Sequence, residues 1–196
     1  MAASTSGGKV NLASALALGI PAAVAVVGLF ITYANNLRLA RRKDRLDRIN
    51  RQLSEMYGPL LSLSSASGAA WREFRRKWRP YVGAYWGEPE PNEAERVAWR
   101  TWMCSVFLPL NRRMRDIVVE GSDLIEESSM PGCLIELCGH VATYEAVVAQ
   151  WQDGDYSQHT TGTNFPTEEL REYATTSFAR LKAEQGRLLA GANTPR

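Results

Sequence analysis

The residues best suited to chemistry in this 196-residue chain are few: Cys104, Cys133, Cys138, His140 and His159, with Glu136 between the second and third cysteines. Cys133, Cys138 and His140 form the only combination with the ingredients of a metal site, and Glu136 and His140, four apart, would share one face of a helix. The spacing is wrong for the known solutions. Di-iron bundles use Glu-x-x-His supplied twice, and zinc sites pair their cysteines more closely. The expectation is therefore no metal and no cofactor, with the Cys133, Cys138 and His140 trio kept as the alternative. An odd number of cysteines with no CxxC pair suits reduced thiols in a cytoplasmic domain, and Cys138 lies on an apolar helix stripe with Leu134 and Val141. His159 sits in a polar loop and is expected to be solvated. No nucleophile elbow, phosphate loop or HExxH is present, so no catalytic residue is assigned.

The elements that would position these residues are helical throughout. From Val10 to Leu37 the chain carries no charge, and Leu12 to Ala34 is almost wholly apolar. As a helix those residues would extend roughly 34 Å, enough to cross a hydrocarbon core of about 30 Å. A cleaved secretory signal is the competing reading, given the small residues Ala23 and Ala25, but the apolar run continues past them through Tyr33, beyond the length of such signals. Behind it comes "RLARRKDRLDRINRQL", residues 38 to 53. Residues 38–51 carry a formal +5 against the single Lys9 on the other side. The positive-inside rule then predicts an inner-membrane protein with a single span, its N-terminus outside and its main body cytoplasmic.

Arg38, Arg41, Arg42, Lys43 and Arg45 are the expected contacts to anionic lipid headgroups. Within the span, Gly19 lies in a small-residue row with Ala15 and Ala23, and Gly28 pairs with Thr32, so packing of two spans into a homo-oligomer is expected through Gly19 and Gly28. Nucleic acid is not expected as a partner. Residues 80–196 hold ten basic against seventeen acidic side chains, a net −7 that repels phosphate.

The basic strip also contains a seam, Leu39, Leu46, Ile49, Leu53, Met56 and Leu60, at helical spacing up to the expected breaker Gly58-Pro59. With only about two clean heptads, the seam is expected to dock on the chain's own helical body rather than form a coiled coil. The next helix places Leu60, Leu63, Ser67, Trp71, Phe74 and Trp78 on one face with its cations in solvent. "YVGAYWGEPEPN" reads as a loop, and Asn92 with Glu95 forms a capping-box signature. The helix it starts carries Trp99, Trp102, Met103, Val106, Leu110, Met114 and Ile117 inward, and Pro109 is expected to kink or divide it. A helix from about Pro131 to Gln152 turns Leu134, Leu137, Val141, Tyr144 and Val148 inward. The polar loop 153–166 is long enough to serve as a lid or a ligand or partner contact. Thr167 is expected to cap a last helix carrying Leu170, Tyr173, Phe178, Leu181 and Leu188.

The predicted fold class is all-α: an extracytoplasmic tail (1–9), a transmembrane helix (10–36), a basic juxtamembrane helix (37–58), a cytoplasmic antiparallel helical bundle (59–190) and a frayed tail (191–196). The order of span, basic stretch, "RINRQLSEMYGPLL", "WREFRRKWRP", "FLPLNRRM" and "MPGCLIELCGHVATYEAVVAQW" resembles a set of uncharacterised bacterial single-pass membrane proteins with a helical cytoplasmic domain. That resemblance implies no activity. The expected function is a non-enzymatic, membrane-anchored interaction or scaffold module with membrane lipids and an unidentified protein as partners. The alternative is a membrane-bound enzyme or ligand sensor using the 133–140 helix and the 153–166 loop. A cavity with convergent polar groups would favour the latter; a closed core beside an exposed apolar patch would favour the former.

Overall fold

The computed structural model describes residues 12–81 and 83–190, with the backbone alone for 12–23. Every regular element among the described residues is helical: α1 (Leu12–Arg51), α2 (Gly58–Lys77), α3 (Glu93–Trp102), α4 (Leu108–Glu120), α5 (Gly132–Gln152) and α6 (Thr167–Ala190). Helix α1 passes through Pro21 without interruption. The tails expected at 1–9 and 191–196 lie outside the described residues.

The chain separates into two compact units, one ending at Arg45 and the other starting at Leu46. The division falls inside the stretch predicted as one juxtamembrane helix (37–58). In the first unit Val27, Leu29, Phe30 and Ile31 are exposed apolar side chains, and Leu39 is 65% exposed. In the second, Leu46 is half-buried and Ile49, Leu53, Met56 and Leu60 are in the core. The seam thus docks on the helical body from Leu46 onward.

Neither Gly58-Pro59 nor Pro109 stops its helix. Each is preceded by a widened π-helical turn, Gln52–Tyr57 and Met103–Phe107. The Gly58 amide donates to the Leu53 carbonyl and the Leu108 amide to the Met103 carbonyl, five residues back in each case. A proline in a regular helix lacks its donor and its ring collides with the carbonyl four residues earlier. One extra residue in the preceding turn relieves that collision, so the backbone continues instead of breaking. The widened turns also bury neighbouring residues together, Met56 with Tyr57 and Phe107 with Leu108.

Around the shared core, α2 packs along α6 and α4, and α4 along α5. The capping box at the start of α3 is formed: the Glu95 amide donates to Asn92 Oδ1 at 3.0 Å and the Asn92 amide to Glu95 Oε2 at 2.8 Å. Thr167, expected as a cap, is instead the first helical residue of α6, and its hydroxyl donates to the Phe165 carbonyl at 3.4 Å. Among the described residues, α5 is long and apolar enough to cross a membrane. Its apolar side chains Leu134, Leu137, Val141 and Val147 are buried in the protein core, which accounts for the composition.

One cation of α2 departs from the expectation of solvent exposure. Arg79, just past the helix end, has φ +58° and is only 6% exposed. Its guanidinium lies over the Tyr85 ring and donates to the carbonyls of Gly87 and Pro89, tying the 80–92 loop to the body. Burial, with the Glu95 carboxylate close by, pushes the Tyr85 hydroxyl up to about 12.

Candidate functional site: an aromatic cavity beneath the 153–166 loop

The elements converge on a cavity of about 350 Å³ between α2, the π-helical turn before α4, α5 and the 153–166 loop. Its walls carry the rings of Trp71, Trp86, Trp99, Phe107, Tyr144 and Phe165. Trp71 and Trp86 each stand nearly perpendicular to Trp99, at 83° and 89°, with centroids 6.1 and 5.8 Å away. Edge-to-face contacts of this kind are favoured by the ring quadrupoles. Among the described residues, no lysine, arginine, aspartate or glutamate lines the cavity.

Two buried groups give the cavity polar character. Asn111 on α4 is 3% exposed, and its Oδ1 is fully buried with no hydrogen-bond partner among the described residues. Trp86 Nε1 is likewise buried without a partner. Unsatisfied buried polar groups are uncommon because each forfeits its hydration without replacement.

The loop roofing this cavity is not a loose polar segment. Trp99 Nε1 and the Tyr144 hydroxyl both donate to the His159 carbonyl, at 3.0 and 2.9 Å, and Trp151 Nε1 donates to the Gln158 carbonyl at 2.7 Å. His140 Nδ1 lies 2.8 Å from the Thr163 carbonyl, an acceptor, so Nδ1 carries the proton. Large aromatic side chains on α3 and α5 need partners for their polar atoms once buried, and the loop backbone supplies them. His159 itself is half-buried rather than solvated. Its ring packs against Trp86 at 5.2 Å, and its Nε2 accepts from Arg100 Nη1 at 2.9 Å.

These surroundings fix the protonation states. Burial holds the His140 imidazole below its ordinary pKa, and burial with the neighbouring Arg100 does the same to His159. Burial raises the Tyr144 hydroxyl, which already donates to a carbonyl. Neither histidine therefore adds charge at pH 7, and Asn111 and Trp86 carry the lining's buried unpartnered polar atoms, beside the hydroxyls of Ser67, Thr160, Thr161, Thr163 and Thr167 and the Asn164 carboxamide.

The residues singled out from sequence fall in different places. His140 borders the cavity, whereas Cys133 feels the carboxylates of Glu136 and Glu169, and Cys138 the guanidinium of Arg115. Among the described residues no three His, Cys, Asp or Glu side chains are grouped to hold a metal ion. Burial raises all three cysteine thiols. Arg38, Arg41, Lys43 and Arg45 are exposed on α1 and Arg42 is half-buried. A Cβ added at Gly28 would meet nothing within 4 Å, so that face of α1 is open, and the surroundings of Gly19 lie outside the described residues. Asn111, Trp86 and the anchors Arg100 and Trp151 are not assigned by sequence reasoning. Comparison with protein-family models, curated proteins and solved structures finds no match.

Proposed function

We propose that this protein is a membrane-anchored ligand-binding module: α1 provides a single inner-membrane span, the N-terminus faces outward, and the remaining helices form a cytoplasmic antiparallel bundle that holds a small molecule. The observation that carries the ligand-binding part is the buried, unpartnered Asn111 Oδ1 in the wall of an aromatic cavity. Such a cavity, mostly apolar with a few placed polar atoms and at the small end of the usual range of about 300–1,000 Å³, is what small-molecule sites share. It favours the sensor alternative over a closed scaffold. Tyr144 has already committed its hydroxyl to the loop, and none of the described lining residues brings a carboxylate or amine to the cavity, so binding rather than turnover is the reading.

The membrane part rests on the uncharged run and the +5 that follows it. The same cations suit anionic lipid, and Gly19 and Gly28 suit pairing of two spans.

Purification of the full chain from native membranes, followed by denaturation and mass spectrometry of released small molecules, tests the reading. A compound present with the native chain and missing from Ser67→Trp, which fills the cavity, is the expected result. Identical small-molecule profiles for both would refute it. A reporter fused after Arg196 is expected in the cytoplasm, and replacing Arg38, Arg41, Arg42 and Lys43 with glutamate is expected to weaken or invert insertion; unchanged orientation would remove these charges as the determinant.

A further inference from the structure

The lining of the cavity restricts what it can hold. Among the described lining residues seven carry rings, including His140, and none is leucine, isoleucine or valine. An alkyl chain is matched by branched aliphatic walls, whereas flat walls at right angles match a flat ring. A cation would gain from the ring faces, but among the described residues no carboxylate lines the cavity to balance it. The guanidinium of Arg75 already lies over Trp71 at 5.7 Å, placing positive charge on that same aromatic cluster. An anion would meet no lysine or arginine among the described residues lining the cavity itself; Arg72, Arg75 and Arg76 line the adjoining open pocket beyond Trp71 and Trp86. The part of a ligand held inside the aromatic walls is best matched by a neutral, planar ring.

Asn111 adds the hydrogen-bonding requirement. A carboxamide offers one acceptor and one donor side by side, and here the acceptor, Oδ1, is buried without a protein partner. The matching edge is an adjacent N–H donor and acceptor on a ring, the arrangement through which asparagine meets a nucleobase with two parallel hydrogen bonds. Amide oxygen and nitrogen can exchange places by rotation, so either order of donor and acceptor is accommodated.

Resting on the ligand-binding reading above, we propose that the cavity takes a neutral planar heteroaromatic ring whose edge carries adjacent donor and acceptor atoms, such as a lactam, paired with the Asn111 carboxamide. The aromatic walls supply contact area and exclude water; Asn111 sets orientation and selectivity. A site built to hydrogen-bond a ligand discriminates strongly against an analogue lacking the group, because its own polar atoms are then left buried and unpaired.

The test uses the full chain in lipid nanodiscs, with empty nanodiscs as blank, and equilibrium dialysis of four probes: quinolin-2-one, 1-methylquinolin-2-one, naphthalene and tetramethylammonium. Quinolin-2-one is expected to bind about tenfold to a hundredfold more tightly than its N-methyl derivative, which has lost the donor. Asn111→Leu is expected to abolish that preference while both rings still bind weakly. The comparison of probes on the native chain decides the matter even if the variant does not fold. Equal binding of quinolin-2-one, its methyl derivative and naphthalene would overturn the assignment to Asn111 while leaving a ligand cavity in place. Preference for tetramethylammonium would overturn it in favour of a cation cage. No binding of any probe up to about 1 mM would instead refute the ligand-binding reading on which the assignment rests.

Discussion

Gly58→Ala should destabilise this protein although the position is helical, and Gly186→Ala should stabilise it. In an ordinary helix the exchange gains about 1 kcal/mol, because alanine loses less conformational freedom on folding. At Gly186, inside α6, an added Cβ meets nothing within 4 Å, so that gain is available. At Gly58 the Cβ would come under 3.0 Å from the Leu53 carbonyl oxygen, which belongs to the backbone of the widened turn, with Phe178 Cε2 at 3.6 Å on the other side. The turn must open to admit the methyl group, losing the Gly58 to Leu53 hydrogen bond, worth about 0.5–1.5 kcal/mol. Displacing packed atoms around it costs about 1–3 kcal/mol more. After the propensity gain is subtracted, Gly58→Ala should lose about 1–3 kcal/mol. For a chain of this size that is a fall of roughly 3–10 °C in thermal midpoint, against a rise of roughly 1–4 °C for Gly186→Ala. Circular dichroism melts of the two variants beside the native chain measure both. A neutral or stabilising Gly58→Ala would refute the argument that Pro59 is accommodated by a turn only glycine can complete.

Other consequences follow from the groups around the cavity. Both histidines have lowered folded-state pKa values, so the unfolded chain binds more protons below the ordinary value of about 6.5. Their contribution to stability is then complete above that pH and is lost as pH falls below it, until the folded-state values are reached; urea titrations between about pH 5 and 7.5 should show this slope flattened in His140→Phe. Tyr144→Phe leaves Trp99 as donor to the His159 carbonyl and should cost only about 1 kcal/mol, while limited proteolysis within 153–166 becomes faster. Arg79→Ala removes the donors to Gly87 and Pro89 and should cost about 1–3 kcal/mol. Arg79→Gly should be roughly 1 kcal/mol less damaging in thermal melts, because glycine accepts φ +58° without Cβ strain.

Local patterning made the helices legible. The inward stripe of α5, with Leu134, Leu137, Val141, Tyr144 and Val148, could be read from its spacing, and all five are buried. The capping box at Asn92 and Glu95 is equally local, since its partners are three residues apart. The seam from Leu46 to Leu60 announced that it would be covered, because an apolar stripe at helical spacing needs a partner face.

The site was decided elsewhere in the physics. Prolines were readable as obstacles, but whether a helix breaks or widens depends on the packing it would forfeit, and that is a property of the assembled core. Widening before Pro109 rotates the next turn of α4, so that Phe107, Leu108 and Asn111 are buried where a regular helix would turn Val106 and Leu110 inward. That rotation brings Asn111 to the cavity wall, and a regular 3.6-residue period could not anticipate it. The 153–166 loop carries few apolar residues to betray its anchoring to the body, and its order comes from donors on other helices, Trp99, Tyr144 and His140, that reach its backbone carbonyls. Backbone carbonyls are the same at every position in a sequence, so only the tertiary structure could select the ones at His159 and Thr163.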